Sequence, residues 1–218
     1  MSKPVIVVVG AGPGVSGSVA RRFAAKGYDV GLLGTDADRL AELDRQVADQ
    51  GAQTLAEVVD VTDVAAATSE IGSMGQWWNR IDVLHFNPSA FREKDPLELT
   101  VEELLEDVAL GVGGLLTAVQ AARPFMSAGG RITVTGSMAA DKPWNRAASL
   151  GVQKAGIRNL VRSIDTTLAP EGIRAVSVTV QGSLAQDGPF TSDRVAGAIW
   201  EAAHQDEASW CAEVAYHG

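Results

Sequence analysis

The chain has 218 residues, with 18 basic against 27 acidic side chains, a formal charge of −9, 46% apolar residues, 23 glycines and one cysteine. That length predicts one domain around one core, and an acidic balance without basic clusters argues against nucleic acid as a partner. Cys211 has no second cysteine to pair with, so a reducing, cytoplasmic setting is expected. His85, His204 and His217 share no ligand spacing with one another or with Cys211, so no metal site is expected. The apolar run 5–9 is too short for a membrane span and leads into glycines, so no membrane association is expected either.

Residues 5–9 (Val-Ile-Val-Val-Val) predict a fully buried strand ending at Gly10. Apolar residues at Val15, Val19, Phe23 and Ala24 predict a helix over 15–26, stopped by Gly27. A second strand over 29–33 and a helix over 36–50 follow, then a third strand over 53–59 and a helix over 64–72. A fourth strand is expected over 82–86. After it comes one long helix from Thr100 to about Met126, opened by a Thr100/Glu103 capping box. Strand five is expected over 130–135, a helix over 148–168, strand six over 174–180, a last helix over 192–204 and a short closing strand over 210–214. This alternation predicts an α/β fold of the Rossmann-like, doubly wound kind. It has a single domain over residues 1–218, about seven parallel strands and helices on both faces. Ligands of such sheets bind at the carboxyl ends of the strands.

The turn Gly10-Ala11-Gly12-Pro13-Gly14-Val15-Ser16-Gly17 lies between the first strand and its helix. Gly12, Gly14 and Gly17 have the G-x-G-x-x-G spacing that lets a pyrophosphate approach a helix N-terminus. The alternative for such a turn is tight packing without a ligand.

With this turn in place, the whole chain resembles the short-chain dehydrogenase/reductase family, whose turn reads T-G-x-x-x-G-x-G. Gly10 and Gly14 match, Val9 stands in place of the threonine and Ser16 in place of the third glycine. The resemblance makes Gly10, Gly12, Gly14 and Val15 cofactor-binding. It places Asp60 and Val61, in Asp60-Val61-Thr62-Asp63, beside an adenine ring, and Asn87 at the end of strand four, where the family has N-N-A-G and this chain has Phe86-Asn87-Pro88-Ser89, one position of the four kept. It implies a nicotinamide cofactor. The acidic residue that marks NAD falls on Gly34 and the arginine that marks NADP on Thr35, so neither diagnostic side chain is present. The missing carboxylate tips the expectation to NADP over NAD. Asp36 and Asp38 read as helix N-terminal residues, with contact to a ribose as the alternative.

The family's catalytic serine, tyrosine, lysine and asparagine fall on Ser137, Leu150, Lys154 and Ala109. Two positions are kept and two are apolar, so the usual proton donor is missing. Ser149, Asp141, Lys142 and His85 are substitutes to weigh, although a loop or solvated role suits each better. The tyrosines that exist, Tyr28 and Tyr216, cannot be placed at the site from sequence. The segment between strand six and the last helix, about 181–191, is short for a substrate lid, and Phe91, Trp144 and Phe190 are candidate pocket aromatics. Trp77, Trp78 and Trp200 read as packing residues.

The expected function is an NAD(P)-dependent oxidoreductase acting on a small carbonyl, imine or alcohol substrate, with non-standard proton delivery. The alternatives are a redox-neutral enzyme reusing the pocket, such as a cyclase, isomerase or lyase, or a non-catalytic nucleotide-binding subunit. The resemblance also implies a homodimer or homotetramer.

Overall fold

The structure, a computed structural model, describes residues 2–218. Seven parallel strands form one sheet: β1 (Val5–Val9), β2 (Asp29–Gly34), β3 (Thr54–Val58), β4 (Val83–Phe86), β5 (Arg131–Ser137), β6 (Arg174–Val180) and β7 (Glu213–Tyr216). Their order is β3-β2-β1-β4-β5-β6-β7. The order reverses between β1 and β4, which opens a crevice at the carboxyl edge.

Helices cover both faces, and this explains the unbroken apolar strands. Val5, Val7 and Val9 of β1 point into one core layer, under α3 (Val64–Trp78), α5 (Gly114–Ala122) and α6 (Ala148–Leu168). Ile6 and Val8 point into the other, under α1 (Val15–Ala25), α2 (Ala37–Ala48) and α7 (Ser192–Ala203).

The predicted elements are present, most with ends shifted by one or two residues. The third helix runs on past Gly72 to Trp78 because Gly75 receives the ring of Phe125 and Trp78 packs on the core. The closing strand lies at 213–216 instead of 210–214, paired to β6 at Ser177–Val180; Trp210 is held outside it over Arg131 and Arg174. The third strand is shorter, at 54–58. The long helix is interrupted: α4 (Val101–Val108), opened by the expected capping box, leads into a π-helical turn, Ala109–Gly113, before α5. By length and composition the helical run Val101–Phe125 is apolar enough to cross a membrane. Much of that apolarity belongs to Leu115, Ala118, Val119 and Ala122, which are buried on the sheet.

His85 lies in β4 with no exposure, its Nδ1 2.9 Å from Thr133 Oγ1 and its Nε2 without a partner. Burial pushes its pKa down to about 3. The folded protein therefore binds this proton only far below the pH at which the unfolded chain does. His85 should remove stability as pH falls from about 6.5 towards 3, by about 1.4 kcal/mol per pH unit. Urea unfolding at pH 7, 6 and 5 measures this; an unchanged midpoint at pH 5 would mean that the histidine is not buried neutral.

Candidate functional site

The site grows from the carboxyl ends of β1, β4 and β5. After Val9 the chain turns back, and the Gly10 and Ala11 amides both donate to Leu33 O, at 2.9 and 2.7 Å. The Gly12 amide donates to Ser16 Oγ at 3.1 Å. Ser16, where the resemblance puts a glycine, thus closes the turn with its side chain. Gly17, one residue on, takes the close contact instead: a Cβ there would lie 2.3 Å from Gly12 O. Sequence reasoning gave Gly17 a place in a spacing pattern, but not this exchange of roles.

Helix α1 then starts after Gly14 without a side-chain cap, as α5 and α6 also do, whereas α2, α3, α4 and α7 are capped by Asp36, Asp63, Thr100 and Thr191. Its first amides are left for a ligand. Cβ atoms placed on Gly12 and Gly14 would meet nothing within 4 Å, so the backbone there faces open space.

Two cavities adjoin this turn. One, of about 480 Å³, is lined by Gly10, Gly14, Val15, Asn87, Ser137 and Lys154, together with Thr135, Val180 and Leu184. The other, of about 220 Å³, is lined by Gly10, Thr35, Asp60 and Val61 with Leu33, Gly34, Val59 and Leu110. They share Gly10, Pro88 and Ser89 in their linings and so lie side by side along the sheet edge. Of the sequence-predicted residues, these lie together. Gly12, Leu150 and Ala109 line neither cavity; Ala109 is exposed at the start of the π-helical turn.

In the smaller cavity, Gly34 has no room for a side chain, because a Cβ would lie 2.6 Å from Ala11 O. Asp36 caps α2 through the Arg39 amide, at 3.1 Å, and its carboxylate also pairs with the Arg39 side chain at 3.3 Å. Asp60 Oδ1 accepts from Thr62 N and Oγ1. In the larger cavity, Ser137 Oγ accepts from Ala139 N, at 3.2 Å, and keeps its proton free to donate. Lys154 Nζ donates to Thr135 O at 2.9 Å. The lysine is 5% exposed, and burial alone lowers its pKa to about 8. Thr135 Oγ1 is buried without a partner.

Gln153, which the sequence did not mark, clasps the 87–90 segment: its Oε1 accepts from Ala90 N at 3.1 Å and its Nε2 donates to Ala90 O at 3.3 Å. The π-helical turn presses Gly111 onto the same amide. A glutamine next to a motif lysine carries no pattern of its own; only the fold supplies its partner.

The candidate substitutes for a proton donor line neither cavity. His85 lies within the sheet, Ser149 Oγ is buried without a partner, Asp141 pairs with Arg158 at 2.6 Å, and Lys142 is exposed. The candidate aromatics are also elsewhere. Phe190 turns back onto Gly182 and Tyr216, while Phe91 and Trp144 stack on each other at 6.2 Å. Phe91 and Trp144 stay largely exposed, and Trp144 lines a separate cavity of about 550 Å³ with Leu99, Leu104, Pro143 and Val152. Tyr216 donates to Pro189 O and Tyr28 packs on Phe23 and Trp200, so neither tyrosine lines the two cavities at the glycine turn.

A doubly wound parallel sheet with a glycine-turn groove at its switch point defines a dinucleotide-binding class of protein. Residues 4–185 match the family model described as short chain dehydrogenase. The cis-4-hydroxycyclohexanecarboxylate dehydrogenase of Sinomonas cyclohexanicum is 30% identical over 178 residues, covering 80% of this chain and 71% of that protein. An uncharacterized oxidoreductase of Staphylococcus saprophyticus is 26% identical, covering 80% and 76%. Among solved structures, a short chain dehydrogenase from Burkholderia cenocepacia in complex with NADP superposes with a TM-score of 0.88 at 23% identity, covering 97% of this chain and 95% of the other. The chain belongs to the short-chain dehydrogenase family and is an oxidoreductase.

Proposed function

We propose that this oxidoreductase interconverts a small carbonyl or imine and the corresponding alcohol or amine with NADP(H), without a tyrosine as proton donor. The observation that carries the reading is the pair of adjoining cavities at the glycine turn. The uncapped start of α1 suits a pyrophosphate there, and Ser137 and Lys154 line the larger cavity. The residues present fit a nicotinamide dinucleotide: open backbone at Gly12 and Gly14 for the phosphates, Asp60 and Val61 for the adenine, and Asn87 and Lys154 for the nicotinamide half. When bound, such a cofactor supplies hydride transfer. The preference for NADP rests on Gly34, where an NAD-selective site would carry a carboxylate, and on the exposed Thr35 beside it.

Ser137 holds the substrate oxygen through its free proton. Lys154 brings positive charge to the same cavity, where low polarity strengthens it. The short 181–191 segment covers little of this cavity, since residues 183–189 are exposed, which favours a small substrate entering from solvent. Self-association belongs to the same reading: α4 and α6 leave Val101, Leu105 and Val152 exposed, an apolar face of the kind that a second copy would cover.

Consumption of NADPH with a panel of ketones, aldehydes and imines tests the assignment. Turnover with at least one carbonyl, faster with NADPH than with NADH, is expected. Absence of turnover across the panel, with tight NADPH binding retained, would contradict it.

A further inference from the structure

We propose that Lys154 itself is the proton donor and acceptor of the reaction, in place of supporting another acid. This rests on the oxidoreductase reading above and gives its missing step a named atom.

Three observations carry it. First, Lys154 is the one titratable side chain lining the larger cavity among the described residues. Second, its ammonium spends one N–H on Thr135 O, and no carboxylate pairs with it among the described residues, so two N–H bonds remain for the cavity it lines. Third, Leu150, one helical turn earlier on α6, has no proton to give, and Ser149, Asp141, Lys142 and His85 are buried elsewhere, paired or turned to solvent. The ionisable surroundings are sparse. From β4 comes only His85, which burial keeps neutral. Further along α6 comes Arg158, held by Asp141 and Glu213.

In reduction, the carbonyl carbon gains hydride from a reduced nicotinamide dinucleotide. An N–H bond of Lys154 breaks with its electron pair left on nitrogen, and the proton forms the O–H of the alcohol. The neutral amine keeps its bond to Thr135 O and takes a proton back from water at the open mouth. Oxidation runs the same transfers backwards and needs the amine neutral. Burial sets Nζ to change charge near pH 8, within reach of both directions.

The chain has five lysines, so protein labelled with 13C at lysine Cε gives few signals, and the Lys154 signal is the one missing from Lys154→Arg. We expect it to titrate near pH 8. Carbonyl reduction should fall tenfold per pH unit above that same value, and alcohol oxidation should rise to a plateau there. Lys154→Arg keeps a charge in the larger cavity but has no proton to release near neutral pH. It should bind NADPH within about threefold of wild type in calorimetry and lose at least 100-fold in kcat. A Lys154 signal that does not titrate below pH 10, or Lys154→Arg turnover within threefold of wild type, would overturn the proposal. Failure of wild-type protein to bind NADPH would instead overturn the oxidoreductase reading on which it rests.

Discussion

Replacing Lys154 with methionine is expected to raise stability at pH 7 while removing activity. The ammonium is 5% exposed and has no counter-charge, and burial pulls its pKa from 10.5 to about 8. At about 1.4 kcal/mol per pKa unit, keeping it charged costs the fold about 3 kcal/mol. Methionine, of similar length, removes that cost and gives up one hydrogen bond to Thr135 O, worth about 1 kcal/mol. The net gain should be about 2 kcal/mol, or roughly 4–8 °C in Tm for a chain of this size. The sign follows from proton counting. Between pH 8 and 10.5 the unfolded chain holds a proton that the folded one lacks, so wild-type stability climbs over that window. The gap between variant and wild type is full below pH 8 and closes by about pH 10.5. Turnover should fall by about 10²–10⁴, the usual worth of a positioned acid. Differential scanning calorimetry at pH 7 and pH 10, beside a rate measurement, checks both halves. A destabilised variant would mean that the lysine has an anionic partner that this geometry lacks.

Gly17→Ala is expected to damage fold and cofactor binding together. Its Cβ would lie 2.3 Å from Gly12 O, a backbone atom that no rotamer change can move. Either α1 or the glycine turn must shift, at about 1–3 kcal/mol, and the Gly12 bond to Ser16 Oγ goes with it. The amides at the start of α1 then no longer present one anion site, so NADPH affinity should fall more than tenfold. Gly12→Ala makes the informative contrast. Its Cβ meets nothing within 4 Å, so Tm should stay within about 1 °C, while the added methyl group obstructs the ligand. Calorimetric titration and thermal unfolding of both variants separate the effects. Equal Tm for Gly17→Ala and wild type would show that the turn is not closed as described.

The fold was legible because its strands are buried on both faces and read as β-branched runs, while the helices between them carry apolar residues at helical spacing. What was not legible depends on partners distant in sequence. Nothing local marks Ala109–Gly113 as π-helical; the turn is seen only once Gly111 meets Gln153. Gly72 reads as a helix stop, yet the helix continues because Gly75 makes room for Phe125, fifty residues on. The closing strand was placed too early because Trp210 reads as a strand residue but is taken up by two arginines. At the site, the motif positions pointed to two adjoining cavities whose linings do include Gly10, Thr35, Asp60, Asn87, Ser137 and Lys154. Of the candidate aromatics, Phe190 packs on Tyr216, Phe91 stacks on Trp144, and Trp144 lines a separate cavity beside α4 and α6.

Calorimetric titration of the wild-type protein with NADPH, NADP⁺, NADH and NAD⁺ is the direct test of whether the glycine turn holds a dinucleotide. Micromolar binding of the NADP pair is expected, with the NAD pair at least tenfold weaker. Binding of none of the four would contradict it, because an uncapped helix start and an open glycine turn would then serve no dinucleotide.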